Sequence, residues 1–134
     1  MKRLPIRPAV QAIHERIVSI RRDFHEHPEV SWEERRTQQR LLERLGELGL
    51  ADVRPIARTG ATGLVEGRKR GPCVLWRADM DALPVPEKSS LPFASKNEGV
   101  MHACGHDAHM AIALGIAEVL AGRRETLPGA VRFV

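Results

Sequence analysis

The 134-residue sequence predicts an α/β fold, and three observations carry that prediction. The first half holds two amphipathic helical patterns, with apolar residues at spacings of three and four. Short apolar runs punctuated by Gly and Pro follow between Val53 and Trp76, the pattern of strands. A helical pattern then returns at Asp107–Leu120 and a final strand at Ala130–Val134. Strands alternating with helices make a sheet covered by helices.

The first helix is expected to begin near Pro8, which suits a first helical turn. Val10, Ile13, Ile17, Ile20 and Phe24 form one stripe, and His25-Glu-His-Pro28 ends it, because the residue before proline leaves the helical region. His25 and His27 read as structural groups beside a helix end. The second helix is expected to open at Ser31, where Ser31-Trp-Glu-Glu34 fits a capping box. Leu41, Leu42, Leu45 and Leu48 supply its buried face, with Gly49 as a left-handed stop and Leu50 folding back.

Among the strands, Val53–Ala57 contains Pro55 and is expected at an edge. Thr59-Gly-Ala-Thr-Gly63 reads as a turn or bulge. Gly63–Gly67 and Cys73–Trp76, joined by Arg68-Lys-Arg70, read as a hairpin, with the more apolar second run as the central strand. That strand leads into Arg77-Ala-Asp-Met-Asp-Ala-Leu-Pro84. Carboxylates two apart at a strand end point the same way in extended geometry, and strand ends are where open α/β sheets place sites. Asp79 and Asp81 are therefore candidates to bind a metal or orient a ligand, against a solvated turn in which Arg77 pairs with one of them. Residues 85–100 lack a period and read as a long surface loop, a length often functional.

The densest chemistry is Met101-His-Ala-Cys-Gly-His-Asp-Ala-His109, which holds half of the chain's 6 histidines and one of its 2 cysteines. His102, Cys104 and His106 alternate and would share a face in extended backbone, and His106 and His109 would share a face if a helix starts there. Thiolate, imidazole and carboxylate together suit zinc, manganese, cobalt or nickel better than calcium. Ala111, Ala113, Gly115 and Ala117 let the helix that follows pack closely, and Gly122 ends it.

Composition narrows the partners. The net charge is +4, and the excess lies in residues 1–70, with 15 basic against 10 acidic side chains. With no tyrosine and 4% aromatic residues, the chain lacks the stacking groups of a nucleic-acid binder. No apolar run reaches membrane-spanning length. The Met1-Lys2-Arg3 start leads into no signal-peptide-like segment, so a cytoplasmic location is expected, and Cys73 and Cys104 form no disulfide framework. Two carboxylates after a strand and a ligand cluster before a helix suggest metal-assisted hydrolysis, which also needs a general base. Glu98 is the nearest candidate base in sequence, though a loop mounts it poorly.

Three ordered segments closely resemble the aminoacylase-type metallo-amidohydrolases: Arg21–Glu34, Arg77–Pro84 and Met101–His109. That group includes hippurate hydrolases, indole-acetyl-amino-acid hydrolases and N-acetyldiaminopimelate deacetylases. The resemblance implies a zinc-peptidase-like three-layer α/β/α fold, with residues 1–134 as an N-terminal portion of its catalytic domain. It further implies Cys104 and His106 as two ligands of a dinuclear divalent-metal centre, and an active-site aspartate at Asp79 or, second, Asp81. His25, Asp107 and His109 match the motifs as supporting or structural residues. The implied reaction splits an N-acyl-amino acid, a small-molecule substrate, into a carboxylate and a free amine.

The resembling proteins continue past the final strand to a paired glutamate, later histidines and a dimerising domain. The expectation is thus a truncated amidohydrolase with negligible activity alone. The alternative is a non-catalytic remnant binding metal weakly or not at all.

Overall fold

The computed structural model describes residues 8–134, so the Met1-Lys2-Arg3 start lies outside it. The elements are α1 (Pro8–Gln11), α2 (His14–Glu26), α3 (Arg35–Glu47), β1 (Ala51–Ile56), β2 (Gly60–Glu66), β3 (Lys69–Trp76), α4 (His106–Ala121) and β4 (Pro128–Phe133). The four strands form one mixed sheet in the order β1-β2-β4-β3, bearing out the α/β prediction.

The first expected helix is two, broken after Gln11, and Val10 at its start is exposed while Ile20 and Phe24 are buried. The second helix does not start at Ser31. It begins at Arg35, and its cap comes from Glu29, whose carboxylate accepts the N–H groups of Arg36 (3.1 Å) and Thr37 (2.8 Å) and the Thr37 hydroxyl (2.8 Å). A full negative charge at a helix N-terminus outcompetes a serine hydroxyl. At the other end, Gly49 lies at φ +65° and the Leu50 N–H reaches the Leu45 carbonyl, closing the helix as expected.

β1 is an edge strand, as Pro55 requires, but Gly60–Gly63 is strand rather than turn. Ala61 and Thr62 are buried, and a Cβ at Gly63 would stand 3.1 Å from Leu50 and 3.4 Å from Leu45 of α3, so this segment is small because the end of α3 and the chain after it lie close on it.

The expected hairpin of β2 and β3 does not form. β4 lies between them, antiparallel to β2 and parallel to β3. Its first residues wedge into the fork between the two strands, and glycines line the wedge. A Cβ at Gly67 would sit 2.1 Å from the Leu127 carbonyl oxygen, and one at Gly129 1.9 Å from that of Pro72. β3 is correspondingly not central: among the described residues it pairs only with β4, and Val74 and Leu75 are 55% and 61% exposed.

The parallel pair β3–β4 is joined by the crossover that carries α4, the βαβ arrangement parallel strands demand. α4 packs on β2 and against α2, burying Met110, Ala111, Leu114 and Ala117 with Phe24, Leu45, Val65 and Phe133 in one core. A Cβ at Gly115 would stand 3.3 Å from Ile17, so the small residues do bring α2 and α4 together.

Candidate metal site

Parallel pairing puts the carboxyl ends of β3 and β4 side by side. There the Ala78 N–H reaches the Val134 carbonyl at 2.9 Å, and the Val134 N–H the Trp76 carbonyl at 2.9 Å. Residues 77–84 leave this end without regular structure, held by a bridge between Val30 and Ala82 and another between Leu83 and Met101. The bridges bring the three chemistry-bearing segments together, although they are far apart in sequence.

Asp81 is the meeting point. Its Oδ1 and its backbone carbonyl each lie 2.9 Å from His106 Nδ1, and its Oδ2 accepts the Ser31 hydroxyl at 2.6 Å. The Ser31 hydrogen bond, above all, holds the Asp81 carboxyl below the ordinary carboxylate range, against an opposing push from partial burial. With acceptors gathered on Nδ1, that nitrogen carries the proton, and His106 Nε2 is the lone pair left for a metal. A carboxylate behind a ligating imidazole is the usual way a protein fixes tautomer and ring direction.

Asp79 is turned elsewhere. Its carboxylate is paired with Arg77, the solvated-turn arrangement weighed for one of the two. Both aspartates, with Trp32, Glu34 and Arg77, line a groove of about 360 Å3 at the strand ends, the size of a small-ligand recess.

The His/Cys segment does not run extended. Residues 103–105 turn, Gly105 lies at φ +87°, and α4 begins at His106. The turn therefore separates His102 from Cys104 and His106. Cys104 is an exposed free thiol and His106 is partly exposed, whereas His102 is 4% exposed and neither ring nitrogen has a partner. Burial pushes the His102 imidazole down from 6.5 to about 4, so it is neutral near pH 7. The expected helix start does put His106 and His109 three apart on α4.

The donor set fits a divalent metal in kind, with one thiol and one imidazole whose second nitrogen is already anchored. It fits as a part: among the described residues, no group of three or more His, Cys, Asp and Glu is placed to hold an ion. Glu98 is exposed, with no hydrogen bond to the site.

Sequence reasoning named His25 and Asp107 as supporting residues but missed that they pair in a buried network with Glu87 beside this site. His25 is 3% exposed and stands between Asp107 and Glu87, with Arg21 also on Asp107. Its only sequence signal was membership in the Arg21–Glu34 segment. Ser31 was missed differently, as a helix cap instead of a partner of Asp81.

Comparison with known proteins places the chain. Residues 75–134 match the family model "Peptidase family M20/M25/M40". The chain belongs to this family. It is 47% identical over 128 residues to an N-acetylcysteine deacetylase of Bacillus subtilis, covering 94% of this chain and 33% of that protein. It is 39% identical over 134 residues to an N-acyl-L-amino acid amidohydrolase of Geobacillus stearothermophilus, covering 100% and 36% respectively. In three dimensions it resembles a dinuclear metal binding peptidase of the M20 family from Bacillus subtilis. There the TM-score is 0.86 at 45% identity, over 92% of this chain and 35% of that one. The chain described here thus spans about a third of the length of these relatives.

Proposed function

We propose that this chain supplies one part of a metal-dependent active site that hydrolyses the amide of small N-acyl-amino acids. Cys104 and His106 are the metal ligands it contributes. We assign the active-site aspartate to Asp81, reversing the order expected from the resemblance. The observation that carries the reading is the contact of Asp81 with His106 Nδ1 at the carboxyl end of a parallel strand pair.

A bound divalent metal would supply Lewis acidity toward the amide carbonyl. The residues of this chain do the rest of what is legible. Asp81 holds the proton of His106 at Nδ1, so that Nε2 keeps its lone pair. Ser31 holds the other Asp81 oxygen, so the carboxylate cannot swing away. The groove lined by Trp32, Arg77 and Asp79 gives an acyl-amino acid a place beside this pair, and the Arg77 guanidinium suits a substrate carboxylate. The net reaction adds water across the C–N bond and gives a carboxylate and a free amine.

A second reading, metal binding without turnover, is favoured by the donor count: Cys104 and His106 are two ligands, where catalytic zinc usually has three from protein. One experiment separates the readings. Bound metal and hydrolysis of N-acetyl-amino acids are measured on the purified chain with manganese, cobalt or zinc, for wild type and Cys104→Ala. The expected result is binding that Cys104→Ala weakens, with negligible turnover by these 134 residues alone. Metal binding indifferent to Cys104→Ala would sink the ligand assignment. Turnover lost in the variant would sink the expectation of inactivity and establish catalysis.

A further inference from the structure

We propose that His25 is a positioning residue for the metal site, acting through Asp107 on the first turn of α4 and hence on His106. The inference rests on the reading of Cys104 and His106 as ligands. Asp107 is 0% exposed, and one of its oxygens, Oδ2, accepts His25 Nδ1 at 2.7 Å and forms an ion pair with Arg21 Nε at 2.8 Å. His106 is the first residue of α4 and Asp107 the second. A carboxylate held by a hydrogen bond and an ion pair from α2 therefore fixes the start of α4. The ligand is held twice: by Asp81 on its own ring, and by α2 through its neighbour.

His25 has a second arm. Its Nε2 lies 3.3 Å from Glu87 Oε1, an oxygen that also accepts the Ser89 hydroxyl, while Glu87 Oε2 accepts the Ser95 N–H at 2.6 Å. The distances rank the arms. At 2.7 Å the Asp107 bond is short and buried, whereas 3.3 Å onto a shared oxygen is weak. The Asp107 arm thus positions the site, and the Glu87 arm ties down the loop. Phe93 stands edge-on to His25 at 5.7 Å, with the guanidinium groups of Arg21 and Arg22 at 5.4 and 5.0 Å from its own ring centre. This packing fixes the plane of the imidazole, and with it the direction of the bond to Asp107.

The two arms can be cut separately. An Asn amide nitrogen takes the place of an imidazole Nδ1, and a Gln amide nitrogen that of Nε2. Wild type, His25→Asn, His25→Gln and His25→Ala are compared in two ways. One is the 15N spectrum of the His106 imidazole without metal, and the other is Zn2+ affinity by competition with a chromophoric chelator. His25→Asn is expected to keep both near wild type. His25→Gln and His25→Ala should shift the His106 Nδ1 signal and weaken zinc about 10–100-fold with unchanged far-UV circular dichroism, the loss typical when a ligand's support is removed. A role in packing alone would treat Asn and Gln alike. Equal behaviour of those two variants, or no change in any, overturns the proposal. If changes at His25 unfold the chain, the isosteric Asp107→Asn should shift the same His106 signal, and no shift there overturns it. If wild type binds no zinc, the ligand reading falls, and the metal-free spectrum still decides for or against His25.

Discussion

Acidification of the metal-free chain should weaken it well above the pH at which carboxylates titrate, and His102 is the reason. The imidazole is buried and neutral, its pKa pushed from 6.5 to about 4. In the unfolded chain the same ring takes up a proton near pH 6.5, so below that value the unfolded state binds one proton more than the folded state. Stability then rises with pH across this window and is lost as pH falls from 6.5 toward 4, levelling off below. At about 1.4 kcal/mol per unit, the loss at full development is about 3 kcal/mol. Both ring nitrogens lack partners, so an apolar side chain of similar size gives up no hydrogen bond. Urea unfolding in the presence of a chelator, at half-unit steps from pH 7 to 4, measures this directly. His102→Leu should match or exceed wild type at pH 5 and lose most of the slope between pH 6.5 and 4. A wild-type curve flat through that window, or an unchanged slope in His102→Leu, would refute the assignment of a neutral buried imidazole.

The other expectations concern named contacts. Asp81→Asn should weaken zinc binding by about 10–100-fold, because His106 loses the acceptor that sets its tautomer, while Asp79→Asn, whose carboxylate is paired with Arg77, should change it little. Isothermal titration of the two variants decides between them. Glu29→Ala removes the acceptor of two helix N–H groups and one hydroxyl, and should cost about 1–3 kcal/mol in chemical denaturation. Gly129→Ala combines φ +74° with a Cβ on the Pro72 carbonyl, and should cost about 3 kcal/mol or more, read as loss of soluble folded chain. Below about pH 4, the depressed Asp81 carboxyl adds a separate loss. Its stabilisation is present above the unfolded value of 3.8 and disappears as pH falls through the lower folded value, which a Ser31→Ala variant should diminish.

What the sequence made legible was local. The stop at Gly49 and the fold-back of Leu50 need only residues 45–50, and the spacing of small residues in α4 needs only one helix face. Most of the errors came from partners outside the segment being read. Ser31 and Glu34 match a capping box, but nothing within that segment announces that Glu29 caps α3 or that Ser31 is drawn to Asp81, 50 residues away. Adjacent strands with a short basic turn argue for a hairpin, yet Pro128–Phe133 inserts between them because glycines at 67, 71 and 129 let three backbones meet. At the site, residue type identified the cluster while geometry sorted it. One left-handed residue, Gly105, turns Cys104 outward and leaves His102 inside, a separation that alternation in an extended strand cannot produce. The choice between Asp79 and Asp81 was equally closed to the sequence, since it depends on which carboxylate the Val30–Ala82 bridge brings to α4.

The claim that Cys104 and His106 bind a metal, with Asp81 behind His106, is tested most directly by X-ray absorption at the zinc edge of the zinc-loaded chain. The expected result is one sulfur neighbour at about 2.3 Å and an imidazole nitrogen at about 2.0 Å, with the sulfur shell lost in Cys104→Ala. A shell of oxygen and nitrogen alone in the wild-type chain would contradict it.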